Sequence, residues 1–90
     1  MIAPQQHVVG VEAGESELDH LLENWDASQG ETFSSVIRYC LEMEVMTLEE
    51  FRNEFAVAPG SVRRWAKGLS QPLPMFQQGI VTYLRERLRS

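Results

Sequence analysis

The spacing of the apolar residues restricts this chain to a helical fold. From residue 16 onward, apolar side chains recur three and four positions apart, which is the period of an α-helix with one buried face. No stretch in that region alternates as a half-buried strand would, and Gly30, Pro59, Gly68 and Pro72 interrupt the helical pattern. The sequence therefore predicts an all-α fold, a compact bundle of four to five short helices.

Capping residues set the predicted ends of these helices. Thr47 and Glu50 form the T-x-x-E pattern of a capping box, Thr32 and Ser16 are further candidate N-caps, and Gly30 should stop the first helix. The predicted helices are Ser16–Asp26, Thr32–Met46, Thr47–Phe55, Pro59–Lys67 and Met75–Leu88. Residues 1–14 show no period and are expected to be a flexible N-terminal arm, with residues 15–90 forming one helical domain.

Composition excludes several classes of function. No apolar run reaches the roughly 20 residues that cross a membrane, so no membrane contact is expected. The single cysteine, Cys40, cannot form an intramolecular disulfide, which fits a cytoplasmic protein. His7 and His20 lack the further ligands of a metal site, and there is neither a glycine-rich phosphate loop nor a nucleophile–base pattern. We therefore expect no metal, no cofactor and no enzymatic activity.

Charge is distributed unevenly along the chain. Its formal net charge is −5, but residues 1–50 carry eleven acidic residues and one basic residue, a charge of −10. Residues 51–90 carry seven basic residues and two acidic ones, a charge of +5. Such an asymmetry predicts that the two halves face different partners or face each other. The local charge of the second half favours nucleic acid, which the acidic whole would not.

The segment "APGSVRRWAKG", residues 58–68, holds three cations around one tryptophan, with no carboxylate among them. On a helix that begins at Pro59, Val62 and Trp65 point inward, while Arg63, Arg64 and Lys67 point outward. Two interpretations follow. The cations contact DNA, or they are a solvated helix face that pairs with the acidic half of the chain.

The order of elements from Thr47 to Leu84 resembles the lambda-repressor-like (Xre, Cro/repressor type) helix-turn-helix family. A capped helix, a tight break, a second helix, a glycine and a proline-containing loop follow one another as in that family. The residues that carry the resemblance are Thr47, Phe51, Phe55, Val57, Val62, Trp65, Gly68 and Pro72. Residues 32–90 would then be the helix-turn-helix core, and residues 15–31 an additional acidic helix.

The resemblance implies a small sequence-specific transcriptional regulator, a repressor, that inserts helix 59–67 into the major groove of double-stranded DNA. Family membership further implies a homodimer on a palindromic operator, in a bacterial, phage or plasmid context. Arg64 is the expected reader of guanine, Gly60 allows close approach, and the remaining residues suit bases or phosphates. The predicted DNA-binding residues are Thr47, Pro59, Gly60, Ser61, Arg63, Arg64, Lys67, Ser70 and Gln71.

The alternative is a protein-interaction module with the same fold, of the antitoxin or phage and plasmid adaptor type, with weak or no DNA binding. The acidic half, Arg52 and the Pro59–Gly60 start of the second motif helix favour it. The acidic segment 12–31 could bind a partner protein, or cover the basic helix when DNA is absent. Its helix Ser16–Trp25 could form a dimer surface or simply pack on the bundle.

Overall fold

The computed structural model describes residues 17–89, and most of that segment is helical. In chain order the helices are α1 (residues 17–23), α2 (Gly30–Glu42), α3 (Leu48–Phe55), α4 (Pro59–Lys67) and α5 (Pro74–Arg89). Because residues 17–89 contain no strand, the prediction of a small all-α bundle is confirmed. The predicted arm 1–14 and the predicted cap Ser16 lie outside the described residues.

The predicted ends of α3 and α4 are confirmed. The Glu50 N–H donates to the Thr47 hydroxyl at 3.1 Å, and the Thr47 N–H donates to the Glu50 carboxylate at 3.2 Å, which completes the capping box. Pro59 occupies the first turn of α4, where a missing N–H is harmless. Gly68 ends α4 with a φ of 76°, a left-handed conformation that glycine adopts without steric cost.

The predicted junction between the first two helices is wrong. The first helix ends at residue 23 instead of Asp26, and α2 begins at Gly30, so Gly30 starts a helix instead of stopping one. Thr32 is not the N-cap, because its hydroxyl already lies inside α2 and donates to the Gln29 carbonyl at 2.7 Å. The chain turns between α1 and α2 before the predicted position. The turn is stabilised by the Asp26 carboxylate, which accepts from the Ser28 N–H at 2.9 Å.

The predicted end of α2 at Met46 is also wrong. The helix stops at Glu42, and the Val45 N–H returns to the Cys40 carbonyl at 2.9 Å. Glu44, in the turn after α2, adopts a φ of 58°, and Ala56, the C-cap of α3, adopts a φ of 57°. Each is a left-handed conformation that costs a residue with a β-carbon about 1–2 kcal/mol. The hydrophobic pattern continues past residue 42 because Met46 is fully buried, but its backbone is no longer helical.

Helices α1 to α5 each contribute to the buried core. Trp65 of α4 packs edge to face against Phe33 of α2 at 5.9 Å and Phe76 of α5 at 6.1 Å between ring centroids, so aromatic contacts fix α4 on both sides. The buried hydrophobic residues are Leu18, Leu22, Phe33, Val36, Ile37, Cys40, Met46, Phe51, Val62, Trp65, Ile80, Val81 and Leu84.

Helix α1 packs on the bundle. Leu18 and Leu22 are buried, and the Arg85 guanidinium of α5 donates to the Leu22 carbonyl at 3.0 Å. The apolar side of α1 is thereby used within the chain, as one of the two interpretations of this helix predicts. Within residues 17–89, no helix combines the length and the apolar character that crossing a membrane requires.

Candidate nucleic-acid interface

The two faces of α4 differ sharply in burial. Val62 is fully buried and Trp65 is 6% exposed, while Arg63, Arg64 and Lys67 are exposed. This division confirms the inward and outward positions predicted from the helical period. Because the inward face is anchored by a large aromatic side chain, the cations project from a helix whose rotation is fixed.

A three-residue turn, residues 56–58, joins α3 to α4. The Ala56 N–H donates to the Arg52 carbonyl at 2.9 Å, which closes the last turn of α3, and Val57 is half-buried beneath the turn. Pro59 then starts α4 from the extended conformation of Ala58. Two short helices separated by a three-residue turn are therefore present where the sequence predicts them.

The Arg64 side chain folds back toward the start of α4. Its Nη2 donates to the Ser61 hydroxyl at 3.3 Å, and a β-carbon placed on Gly60 would lie 3.7 Å from its Nη1. The guanidinium therefore lies over the first turn of the helix, at ordinary van der Waals distance from that position. Gly60, Ser61 and Arg64, three of the predicted DNA-binding residues, therefore lie close together at the start of α4.

The α4 cations have no ion-pair partner among residues 17–89. The ion pairs there join Arg52 to Glu49 at 2.9 Å and Arg87 to Glu50 at 2.7 Å between nitrogen and oxygen. If the α4 cations paired with the acidic half of the chain, ion pairs between them would be expected. Residues 17–89 contain no such ion pair. Arg52 of α3 points outward, with 58% of its side chain exposed, so it does not disturb the packing of α3 on α4.

Gln77 holds the loop that follows α4 in place. This residue of α5 is 2% exposed, and its amide Nε2 donates to the Pro72 carbonyl at 2.9 Å. Its Oε1 accepts from the Trp25 indole Nε1, also at 2.9 Å. One buried amide thus ties the loop carrying Ser70 and Gln71, both exposed, and the segment after α1 to α5. Sequence analysis did not identify Gln77, although it is a polar residue at a position where the helical period requires burial.

Arg38 of α2 is a further cation that sequence analysis did not place at the site. Its Nη1 donates to the Ala66 carbonyl at 3.1 Å, so its guanidinium lies near the end of α4. An open cavity of about 320 Å³ lies there, and the Ser34 hydroxyl on its wall is buried without a hydrogen-bond partner in the described structure. The residues that line this cavity are Glu31, Ser34, Ser35, Arg38, Lys67, Gly68 and Gln71.

Thr47 is exposed at the start of α3, in a less basic environment than the other predicted DNA-binding residues. Its hydroxyl already accepts a hydrogen bond in the capping box, and Glu49 and Glu50 follow it in the first turn. Hydrogen bonds from Arg87 and from the Thr47 N–H hold the pKa of Glu50 below its usual value of 4.5, so its carboxylate is ionised at neutral pH.

The remaining titratable residues give no sign of a chemical centre within the described segment. Burial raises the pKa of the Cys40 thiol to about 12, so the side chain is a neutral thiol that packs in the core. Residues 17–89 contain no group of three His, Cys, Asp or Glu side chains that could hold a metal ion. His7 lies outside the described residues, and His20 is exposed on α1.

Comparisons with protein-family models, with curated proteins and with solved structures give no match to this chain. Its function must therefore be inferred from the chemistry of the α4 surface and from the elements that hold that surface in place.

Proposed function

We propose that this protein is a small sequence-specific DNA-binding regulator of the lambda-repressor-like helix-turn-helix type, a repressor, which inserts α4 into the major groove of double-stranded DNA. One observation carries the proposal. Arg63, Arg64 and Lys67 are exposed and have no ion-pair partner in the described structure, on a helix whose opposite face is locked into the core. Unpaired cations on a rigid, convex helix favour a polyanionic partner that has a groove wide enough for a helix.

Position on the helix assigns different roles to these cations. Arg64 reaches the first turn of α4, which is the end that a recognition helix presents to base edges, and arginine donates bidentately to O6 and N7 of guanine. Arg63 and Lys67 flank that face and suit phosphates, which fix the position of the protein without reading sequence.

The loop after α4 supplies further phosphate contacts. Ser70 and Gln71 are exposed polar donors, and the Gln77 hydrogen bond to Pro72 keeps their segment close to α5. The Arg38 guanidinium lies at the end of α4, and its positive charge would neutralise a phosphate of the DNA backbone beside Ser70 and Gln71. These residues would set affinity and its salt dependence, whereas Arg64 would set sequence preference.

Binding to DNA at several salt concentrations tests the proposal. We expect wild-type protein to select a preferred site from random or genomic DNA and to lose affinity as salt rises. Arg64→Ala should weaken binding to that site by about 1–3 kcal/mol, with a smaller effect on unrelated DNA. Arg52→Ala removes the same charge from an arginine that already pairs with Glu49, and it serves as the matched control.

Two results would contradict the proposal. The first is an absence of DNA binding at about 50–100 mM salt, where counterion release still strongly favours association. The second is an equal loss of affinity and preference in Arg52→Ala and Arg64→Ala, because α4 would then have no special role.

The second candidate function is a protein-interaction module built on the same helices. The start of α4 favours it, because Pro59 and Gly60 offer no side-chain donors at the end that would enter the groove. Wild-type protein that remains folded but does not bind DNA at low salt would support the protein-interaction function.

A further inference from the structure

We propose that the open cavity between α2 and the end of α4 binds a small molecule through a free phosphate group. The cavity has a volume of about 320 Å³, near the lower end of the roughly 300–1,000 Å³ that small-molecule sites occupy. The site rests on the residues that line this cavity and not on the proposed function.

One face of α2 supplies the first wall of the cavity. Glu31, Ser34, Ser35 and Arg38 follow the i, i+3, i+4, i+7 spacing of a single helix face, and all four line the cavity. Four polar side chains in succession on one face exclude apolar packing from this part of the contact between α2 and α4. The space beside them is therefore suited to a polar ligand.

The end of α4 and the loop after it supply the opposite wall. Lys67 is the last residue of α4, and Gly68 follows it without a side chain. Gln71 reaches back to the start of α2, where a β-carbon on Gly30 would overlap its carboxamide. Because Gly30 leaves room for this approach, the Gln71 amide borders the cavity as a further hydrogen-bond donor.

The Ser34 hydroxyl lacks a partner in the wall of this cavity. Ser34 is 4% exposed, and its oxygen is buried without a hydrogen bond in the described structure. Gly68 lies nearby without a side chain, since a β-carbon placed there would be 3.6 Å from the Ser34 oxygen. Buried polar groups without partners are rare in folded proteins, and a ligand oxygen that accepts from this hydroxyl would satisfy it.

Two cations indicate that the ligand is an anion. Arg38 donates from Nη1 to the Ala66 carbonyl at 3.1 Å, which holds its guanidinium beside the cavity. Lys67 is exposed and has no ion-pair partner among residues 17–89. These two charges oppose the single carboxylate of the lining, Glu31. A phosphate group has enough terminal oxygens to bind both cations and the Ser34 hydroxyl at once.

Glu31 determines which phosphate fits. A carboxylate accepts hydrogen bonds and cannot donate them, so it disfavours an anion that carries no hydrogen. Hydrogen phosphate keeps an O–H at neutral pH that can donate to Glu31, as can a hydroxyl next to the phosphate of an organic ligand. Sulfate and the phosphodiesters of DNA have no such group. The lining therefore favours a small phosphate ligand over a DNA phosphate inside the cavity.

Titration of the full chain with inorganic phosphate, followed by ¹H–¹⁵N NMR at neutral pH and constant ionic strength, tests the site. We expect saturable shifts centred on the backbone amides of Ser34, Ser35 and Gly68, with a dissociation constant of about 1 mM or lower. Sulfate should bind at least about fivefold more weakly, because it brings no O–H to Glu31. Glu31→Gln should reduce this preference, since its amide can donate to either anion.

Ser34→Ala removes the unpartnered hydroxyl alone. Phosphate affinity should fall at least about tenfold, as for a lost hydrogen bond to a charged group. The free energy of unfolding should not fall, because this hydroxyl bonds to nothing in the described structure, whereas a structural role would predict destabilisation. Lys67→Gln should weaken binding by about two- to fivefold, because Lys67 is exposed. Arg52→Gln removes the same charge outside the cavity and should leave phosphate binding unchanged.

Three results would overturn the site. The first is an absence of saturable shifts up to about 20 mM phosphate, where even a weak specific site would be filled. The second is sulfate that reproduces the phosphate shifts at the same concentrations. The third is an equal loss of phosphate affinity in Lys67→Gln and Arg52→Gln, because binding would then reflect the charge of the whole chain.

One consequence of the site does rest on the proposed function. Arg38, Lys67 and Gln71 line the cavity and also belong to the proposed DNA surface, so a bound phosphate ligand would compete with DNA. At equal ionic strength, phosphate should lower DNA affinity more in wild-type protein than in Ser34→Ala. A protein that binds phosphate with this dependence on Ser34 but does not bind DNA would support the site and contradict the proposed function.

Discussion

Replacing Gln77 with glutamate tests how one buried amide organises the candidate interface. The side chain is 2% exposed, and its two hydrogen bonds, each 2.9 Å long, join Trp25 and Pro72 to α5. A carboxylate can still accept from the Trp25 indole, but it cannot donate to the Pro72 carbonyl. The introduced carboxylate would instead place a negative charge against a carbonyl oxygen in a buried position.

The magnitude follows from the groups left without partners. A buried acceptor that loses its donor costs about 1–3 kcal/mol, and a poorly solvated charge adds to that cost. We therefore expect Gln77→Glu to lower the free energy of unfolding at pH 7 by about 2–4 kcal/mol. In a chain of this size, 1 kcal/mol corresponds to about 4–8 °C in Tm, so the melting temperature should fall by about 10 °C or more.

The direction of the pH dependence distinguishes this mechanism from simple misfitting. Burial and the facing carbonyl raise the folded-state pKa of the new carboxyl above its unfolded value of about 4.3. Relative to wild type, the variant is then most stable below about pH 4, where the protonated group can donate to Pro72, and this relative stability is lost as pH rises through the folded-state pKa. The loss of unfolding free energy relative to wild type should be large at pH 7 and small near pH 4.

Thermal and urea unfolding, followed by tryptophan fluorescence and circular dichroism between pH 4 and 7, measure the effect. Gln78→Glu, the same substitution at the exposed neighbouring position, is the control, because it measures the effect of an added negative charge without burial. A deficit no larger than that of Gln78→Glu, or one that persists unchanged at low pH, would refute the role assigned to Gln77.

Three further predictions concern α3 and the core. Thr47→Ala should destabilise the protein by about 1 kcal/mol in urea unfolding, because it removes the capping box, and Thr47→Ser should restore most of the loss. Glu50→Gln should be destabilising near neutral pH; because hydrogen bonds from Arg87 and Thr47 lower the Glu50 pKa, the difference from wild type should vanish as pH falls below 4.5, as pH-dependent unfolding would show. Cys40 should react with a thiol reagent only on unfolding, since its buried thiol has a pKa of about 12, and rapid labelling of native protein at pH 8 would contradict its burial.

The features that the sequence predicts correctly are those in which cause and effect lie close together in the chain. The capping box joins Thr47 to Glu50 over three residues, Pro59 sets its own φ, and Gly68 supplies the left-handed residue that ends α4. The helical period separates Val62 and Trp65 from the outward cations by geometry alone. Such features need no knowledge of how distant segments pack.

The features that sequence analysis missed depend on tertiary contacts. Gln77 binds Trp25 across 52 positions and Arg38 binds Ala66 across 28 positions, so no local pattern could identify these partners. The early start of α2 is the exception, because its cause is local: Asp26 accepts from the Ser28 N–H, and the Thr32 hydroxyl, inside α2, bonds to the Asp26 backbone. The exposure of Leu69 and Leu73 also depends on packing, because both residues lie in the loop between α4 and α5, where no helical period indicates burial.

The two left-handed residues in the turns before and after α3 are sites where stability can be increased by substitution. Glu44 and Ala56 are both exposed, with φ values of 58° and 57° that glycine adopts without a steric penalty. Glycine at either position would remove strain worth about 1–2 kcal/mol, less what the more flexible unfolded chain regains. A more robust version of this protein can therefore be sought in its turns, leaving the core and the cations of α4 as they are.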